Sequence, residues 1–283
     1  MIAALALLCS AALAQSDDGS LSPAVSVDLF RPALDTTAGL ATDSARPGAR
    51  WGAQITGWWV KEPLVYVEGD EITAIVSGTT ATALSAWWSF GRLRLGGTAP
   101  VYLYSTGDVA GLQGVALGDP GLDARVWLLS ADRPLGLALI GRVTGPLGAS
   151  ERQLGQPGWA GEVGLAADLD REKFSAAVNV GTWIVPTVSL GELVLDDALW
   201  YRAAAGWTPT EPLWLGVELT GRSTYASFST NTGHALEGRA VGRWTSAQGV
   251  GLFAGVGSGL TVGPGSPTAR VVAGVSLTPA RSQ

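Results

Sequence analysis

Hydrophobic and polar residues alternate with a period of two along most of the chain after residue 49. In residues 92–103, Leu93, Leu95 and Val101 fall on one face, and Arg92 and Arg94 fall on the other. This alternation is typical of a β-strand whose two faces lie in different environments. The preceding stretch alternates in the same way, and the turn between the two arms is tight. Each arm has about ten residues, which is long enough to cross a bilayer as a tilted strand.

The same pattern recurs down the chain and predicts an all-β fold. We expect a single antiparallel transmembrane β-barrel with about 12 strands. The predicted strands are 50–60, 78–88, 92–104, 120–129, 135–145, 158–168, 174–183, 197–207, 213–223, 235–244, 250–259 and 268–277.

The connections between these strands alternate in length. Five of them are short, namely Ser89–Gly91, Ser130–Pro134, Leu169–Lys173, Thr208–Pro212 and Thr245–Gly249. The intervening ones are mostly longer, including Lys61–Ser77, Ser105–Asp119, Pro146–Pro157 and Ile184–Asp196. Outer-membrane barrels have short periplasmic turns and longer external loops. This rhythm therefore indicates such a barrel, with both ends of the chain in the periplasm.

Composition supports a membrane barrel over the alternative, a soluble secreted β-sandwich that acts as a binding module. Charged residues make up 15% of the chain, against about 25% in ordinary soluble proteins. The chain contains 39 Gly and 12 Trp. Many aromatic residues fall near the ends of predicted strands, as in the girdles of outer-membrane barrels, among them Trp58, Tyr102, Trp200 and Trp214. The net charge of −6 argues against a nucleic-acid partner, which requires a basic surface.

Three segments follow from the pattern. Residues 1–14 read as a cleaved signal peptide, with an apolar stretch and an Ala-Leu-Ala cleavage site, and they contain Cys9, the only cysteine. Residues 15–48 form a polar lead-in that carries several aspartates, and residues 49–283 form the barrel. Two interpretations of the lead-in stay open. It is either a periplasmic tail or a partial plug that folds into the barrel.

Parity along the strands assigns the charged residues to the inner face, because a charge facing lipid costs about 2–4 kcal/mol at the bilayer midplane. Two interpretations of this lining are open: a lattice of ion pairs that fills a narrow lumen, or a basic pore that favours anions. The predicted lumen-lining residues are Arg94, Asp123, Arg125, Arg142, Glu162, Arg202, Glu218, Arg222, Glu237, Arg239, Arg243 and Arg270.

Residues for catalysis or metal binding are scarce. His234 is the only histidine, and pairing with the nearby Ser229 would be needed for a barrel hydrolase, the least favoured alternative. A metal site requires a cluster of His or Cys that the sequence lacks. We therefore predict no enzyme activity, no cofactor, no catalytic residue and no metal site.

Several stretches of the chain form a recognisable series of motifs. Leu93, Arg94, Leu95 and Gly96 are followed by Pro100 and Val101, and then come Gly118 and Asp119 with Leu122 and Arg125. Phe30, Arg31 and Pro32 precede them in the lead-in. In their content and order these stretches resemble the N-terminal β-barrel of OmpA-like outer-membrane proteins of the myxobacterial type, and the lead-in motif matches only in part.

The resemblance implies a porin-like protein in the outer membrane of a Gram-negative bacterium, exported by its signal peptide. The expected function is a structural scaffold or a narrow passive channel. The expected partners are outer-membrane lipid and, during insertion, the barrel-assembly machinery. The sequence has no C-terminal peptidoglycan-binding domain after the barrel, so peptidoglycan binding is not expected for this chain.

Overall fold

The computed structural model describes residues 28, 30–68, 71–107, 114–129, 134–148, 154–190, 193–230 and 233–279. The predicted signal peptide and residues 15–27 of the lead-in lie outside this part. In the described part, no helix is long and apolar enough to cross a membrane.

Twelve strands form the main sheet, and three short ones accompany them. The twelve are β1 (Trp51–Glu68), β2 (Glu71–Phe90), β3 (Leu93–Thr106), β5 (Gly121–Trp127), β6 (Leu135–Thr144), β7 (Ala160–Arg171), β8 (Phe174–Ile184), β11 (Ala198–Thr210), β12 (Leu213–Thr224), β13 (His234–Thr245), β14 (Val250–Gly259) and β15 (Ala269–Leu277). The short strands are β4 (Ala116–Leu117), β9 (Val188–Leu190) and β10 (Leu193–Leu195).

The sheet closes on itself. Each long strand pairs antiparallel with the next, and β1 pairs with β15 from Ala53 opposite Leu277 to Lys61 opposite Ala269. A closed sheet leaves no unpaired edge, which is a requirement for strands that span a bilayer. The predicted twelve-stranded antiparallel barrel is confirmed, and the β-sandwich alternative is wrong.

The first predicted loop is where the sequence interpretation fails. Lys61–Ser77 is not a loop, because β1 and β2 continue as a paired hairpin out to Glu68 and Glu71. Glu62, with a φ of 51°, and Pro63 lie in a bulge where the register shifts. A bulge admits an extra residue and lets pairing resume beyond it. The short strands β4, β9 and β10 also lie within predicted loops.

The two faces of the wall differ as the alternation predicts. Large apolar side chains such as Leu95, Leu139 and Leu165 are exposed on the outside, whereas the inner face carries many small and polar side chains. Exposed aromatic residues lie near both ends of the barrel: Trp88, Phe90, Phe174, Trp207 and Trp244 at the short turns, and Trp59, Tyr104 and Trp159 at the long connections. Four aromatics that we counted toward these girdles are instead buried on the inner side, namely Trp58, Tyr102, Trp200 and Trp214.

We expect Leu95→Arg and Val126→Arg to reduce barrel assembly, because both side chains face the lipid and a buried arginine there costs about 2–4 kcal/mol. The measurement is the yield of the heat-modifiable band on unboiled gels. The matched control is Thr144→Arg, whose side chain lines a cavity on the inner face. Equal losses for the control and the outer-face variants would contradict this assignment of the faces.

Candidate functional site: a plugged lumen

The described lead-in lies inside the barrel. We call residues 28 and 30–48 the plug. Its middle is almost completely buried, with Leu40 2% exposed and Thr42 0% exposed. Between the plug and the wall, a gap next to Arg31 and Asp43 has a volume of only about 10 Å³. That is room for about one water molecule, so the plug packs closely against this side of the wall.

Glu218 on β12 holds the tip of the plug. Its Oε1 accepts hydrogen bonds from the backbone N–H of Ala41 at 2.9 Å, the N–H of Thr42 at 2.7 Å and the Thr42 hydroxyl at 2.6 Å. Its Oε2 lies 3.1 Å from Arg239, which is directly opposite on β13. Charge-assisted hydrogen bonds are about twice as strong as neutral ones. One wall carboxylate therefore fixes two consecutive residues of the plug.

Two further wall side chains continue this contact along the plug. Asn179 on β8 accepts from the Asp43 N–H at 2.7 Å and donates to the Asp43 carbonyl at 2.8 Å. Asp168 on β7 accepts from the Ser44 hydroxyl at 2.8 Å and the Ala45 N–H at 2.9 Å, and it pairs with Arg46 at 3.0 Å. The plug has no regular secondary structure, so these side chains satisfy backbone groups that would otherwise be buried without partners.

Arginines of the wall hold the plug through its aspartates. Arg94 on β3 and Arg125 on β5 are directly opposite each other, and like charges in that position repel. Asp35 of the plug pairs with both of them, at 3.4 Å from Arg125. Asp43 pairs with Arg125 at 2.6 Å and with Arg31 of the plug itself at 2.7 Å. The plug therefore supplies the counter-charges that this part of the wall lacks.

The upper end of the plug is held by charge and by aromatic packing. Asp28 pairs with Arg270 on β15 at 3.0 Å and accepts a hydrogen bond from the Trp58 indole. The Phe30 ring packs against Trp58, with ring centroids 5.4 Å apart. The guanidinium carbons of Arg239 and Arg270 lie 4.9 and 5.1 Å from the Phe30 centroid. Phe30 thus shields the two arginines as well as filling space.

Two glycines in the wall make room for the plug's leucines. A Cβ on Gly96 would lie 2.5 Å from the Leu34 Cδ1, and a Cβ on Gly255 would lie 2.9 Å from the Leu40 Cδ1. Any larger side chain at either position would push the leucine away. The wall is therefore complementary to the plug in shape as well as in charge.

The predicted lumen-lining residues occupy the inner face in three groups. Asp123, Arg142 and Glu162 are opposite one another on β5, β6 and β7, and Arg31 of the plug lies 3.1 Å from Asp123 and 3.5 Å from Glu162. Glu237 pairs with Arg239 at 3.2 Å and with Arg270 at 2.9 Å. The remaining residues form the third group. Arg94, Arg125 and Glu218 contact the plug, and Arg202, Arg222 and Arg243 stack on tryptophan rings.

Asp168, Asn179 and Gln54 are wall contacts that we did not select from the sequence. Gln54 donates to the Ala33 carbonyl at 2.5 Å. Asp168 is the last residue of the predicted strand 158–168 and shares parity with Glu162, so the alternation could have identified it. Asn179 and Gln54 are uncharged, and a search for charged groups does not select them.

The plug changes the charge balance of the lumen. In the described residues, the inner wall carries eight arginines against five carboxylates, and the plug adds two arginines and three carboxylates. The excess of positive charge thus falls from three to two. The arginines are Arg94, Arg125, Arg142, Arg202, Arg222, Arg239, Arg243 and Arg270 with Arg31 and Arg46, and the acids are Asp123, Glu162, Asp168, Glu218 and Glu237 with Asp28, Asp35 and Asp43.

Above the plug, on the side of the long connections, the lumen opens into a cavity of about 170 Å³, which we call the vestibule. Its floor is formed by Asp28, Phe30, Arg31 and Pro32. Its walls are a mixture of aromatic and charged side chains, among them Trp58, Tyr102, Arg142, Trp183, Trp200, Arg202 and Arg222.

His234 does not pair with Ser229, the residue we considered from the sequence. Its Nδ1 lies 2.8 Å from the Ser223 hydroxyl, and its Nε2 lies 3.0 Å from the Phe228 carbonyl. Ser223 is buried. The Phe228 ring packs edge-on against the imidazole at 5.3 Å. The contacts bind the connection between β12 and β13 to the wall.

Two plug carboxylates, Asp35 and Asp43, have lowered pKa values. Burial raises the pKa of Asp35, but the guanidinium groups of Arg94 and Arg125 lower it more, and the net pKa lies well below the usual value. Burial likewise raises the pKa of Asp43, and Arg31, Arg125 and Arg202 more than offset that effect, so its pKa is also lowered. A carboxyl with a lowered pKa stabilises the seated plug above its ordinary pKa of about 4, and this stabilisation disappears as the pH falls through the lowered pKa.

Glu218→Ala should loosen the plug, because it removes three hydrogen bonds to the plug and the partner of Arg239. We expect a cysteine at Ala41, in a chain with Cys9 replaced by serine, to react with a maleimide at least tenfold faster in this variant. The factor corresponds to the loss of about 1.5 kcal/mol or more, the contribution of a hydrogen bond to a charged group.

Two controls accompany that measurement. Glu218→Gln keeps an acceptor oxygen and should give a smaller increase, and Glu211→Ala in an exposed turn should give none. An unchanged labelling rate in Glu218→Ala would show that this carboxylate does not hold the plug.

We expect the single-channel conductance to stay at its pH 7 value down to about pH 4 and to rise only at lower pH, as Asp35 and Asp43 become protonated. A variant that lacks residues 17–43 should not show this rise. A conductance increase between pH 7 and pH 5 in the intact chain would contradict the lowered pKa values of Asp35 and Asp43.

Comparison with known proteins supports the fold. No protein-family model and no curated protein matches the sequence. Among solved structures, an outer membrane channel from Pseudomonas putida F1 aligns with a TM-score of 0.65 and 14% identity, covering 83% of this chain and 97% of that one. The NanC porin aligns with a TM-score of 0.52 and 7% identity, covering 80% of this chain and 98% of the porin. At such low identities the likeness concerns the architecture, which this chain shares with outer-membrane barrels.

Proposed function

We propose that the protein is a passive outer-membrane channel whose lumen is closed by the plug and opens when the plug leaves its seat. The observation that carries this proposal is the polar character of the contact between the plug and the wall. Asp28, Asp35 and Asp43 are paired with wall arginines, and Glu218, Asn179 and Asp168 bind plug backbone.

Polar contacts favour a removable plug for a physical reason. Buried ion pairs add little stability compared with well-packed apolar groups of the same volume. A permanent filling would therefore gain from an apolar interface. Paired charges can instead be solvated by water once the plug leaves, and the exposed wall is then a hydrated, basic pore.

The alternative is a structural scaffold in which the plug never leaves. The small gap between the plug and the wall near Asp43 favours it. Glycines 96 and 255, which match the plug's leucines, also favour a stable seat. The two functions differ in one observable, which is whether ions cross the barrel.

Deletion of Asp17–Asp43 should increase the single-channel conductance in a planar bilayer, because it removes most of the plug from the lumen while leaving the strands intact. The remaining wall keeps eight arginines against five carboxylates, so we also expect a shift toward anion selectivity.

An unchanged conductance would support the scaffold. Cation selectivity in the deletion variant would contradict the basic lining. Heat-modifiable migration of the variant serves as the control, because it shows that the barrel is still folded.

We also propose that the protein resides in the outer membrane of a Gram-negative bacterium and that it is related to the OmpA-like barrels of the myxobacterial type. The apolar outer face and the closed sheet support the location. The matching motifs support the relationship, and Arg94 and Arg125 within them both contact Asp35. Recovery of the protein in the detergent-extracted membrane fraction tests the location, and recovery as a soluble periplasmic monomer would contradict it.

A further inference from the structure

Two arginines stack on tryptophans in the wall of the vestibule. The guanidinium carbon of Arg202 lies 4.4 Å from the centroid of Trp200, and that of Arg222 lies 4.5 Å from the centroid of Trp183. Trp183, Trp200 and Arg222 come from the adjacent strands β8, β11 and β12, and Trp200 is directly opposite Arg222 in the register. The two stacks are therefore neighbours on one side of the cavity.

The two arginines differ in their partners. Arg202 donates to Glu162 at 3.1 Å and lies 3.9 Å from Asp43. Arg222 has no carboxylate within 4.0 Å in the described part of the chain, and its only contact there with a charged or aromatic group is the Trp183 ring. Arg222 is half-buried and faces the vestibule.

The carboxylates that line the vestibule are already engaged. Glu162 binds Arg31 and Arg202, and Glu237 binds Arg239 and Arg270. Asp28 pairs with Arg270, and Asp119 accepts hydrogen bonds from the backbone of Gly148 and Gln156. None of these described acids is free to neutralise Arg222.

A stacked guanidinium is well suited to hold an anion. The indole covers one face of the planar group and leaves the N–H edge free, and that edge matches a carboxylate in a bidentate manner. A partly buried cation without a counter-charge is unfavourable, so an incoming anion gains from neutralising it. Because Arg222 is a single unpaired cation, the matching ligand carries one negative charge.

The rest of the vestibule indicates what the anion is attached to. Trp58, Tyr102, Leu154, Trp183 and Trp200 contribute apolar and aromatic surface to the same cavity. Its volume of about 170 Å³ is close to that of cavities of about 150 Å³ that bind benzene. We propose that the vestibule binds a small monocarboxylate with a single ring, with the carboxylate on the edge of Arg222 and the ring against the aromatic side chains.

This site goes beyond the proposed channel function and does not depend on it. The vestibule lies above the plug, so binding requires neither removal of the plug nor passage of ions. The test is isothermal titration calorimetry of benzoate on the folded, detergent-solubilised full chain. We expect saturable binding, and we expect Arg222→Gln to weaken the affinity at least tenfold, since a hydrogen bond to a charged group is lost.

The matched control is Arg50→Gln. Arg50 is also stacked on a tryptophan, at 5.6 Å from the centroid of Trp88, but it is exposed at the start of the first strand and far from the vestibule in the register. Its replacement should leave benzoate affinity unchanged. Arg222→Lys keeps the charge and loses the planar, bidentate edge, so we expect an affinity below that of the native chain. It also serves as the test if Arg222→Gln is not recovered in folded, heat-modifiable form.

Three comparison ligands identify what is recognised. Benzyl alcohol keeps the ring without the charge, acetate keeps the carboxylate without the ring, and inorganic phosphate is a different oxyanion. We expect each to bind at least tenfold more weakly than benzoate. Any one of three results would overturn the proposal. These are the absence of benzoate binding, a benzoate affinity in Arg222→Gln or Arg222→Lys equal to that of the native chain, and an affinity for any comparison ligand equal to that for benzoate.

Discussion

The constraint on which this structure depends is the exclusion of charge from the lipid-facing surface. A barrel wall is one strand thick, so every charged side chain in a spanning strand that cannot face lipid must face the interior. Once the interior of the twelve-stranded barrel is filled, it is too narrow to hydrate so many charged side chains as bulk water would. The charges must then neutralise one another, and the wall by itself has more arginines than carboxylates.

The plug resolves this imbalance locally. Arg94 and Arg125 are opposite each other on the paired strands β3 and β5, and Asp35 contacts both of them. The wall carboxylates of Glu218 and Asp168 accept hydrogen bonds from backbone N–H groups of the plug. The same groups therefore complete the lumen when the plug is seated and would line a basic pore when it is not. The structural role and the proposed channel role thus arise from a single set of contacts.

Above the plug this neutralisation is incomplete. Asp123, Arg142 and Glu162 are opposite one another on adjacent strands, and Arg31 of the plug pairs with Asp123. Arg222 has only an aromatic partner among the described residues. Tryptophan shields a guanidinium from the low-dielectric wall but does not neutralise its charge. An anion-binding site therefore arises where the plug ends and the wall still carries charge.

The sequence by itself determined the architecture. Period-two alternation and the rhythm of the connections predicted the number of strands and which face is inner, because the lipid outside penalises any other parity. It misplaced the end of the first strand at residue 60, since a strand end cannot be told from a bulge without the partner strand. It also assigned Trp58 and Trp214 to the girdles, although both are buried inside.

Only the tertiary structure decided which charges meet. Asp35 and Arg94 are 59 residues apart, and Thr42 and Glu218 are 176 residues apart, so no local pattern links them. The sequence left the lead-in as either a tail or a plug, because its aspartates are compatible with water and with the lumen alike. Closing the barrel brings β3, β5, β7, β8 and β12 around one segment of chain, and the placement of the plug follows from that enclosure rather than from the composition of the lead-in.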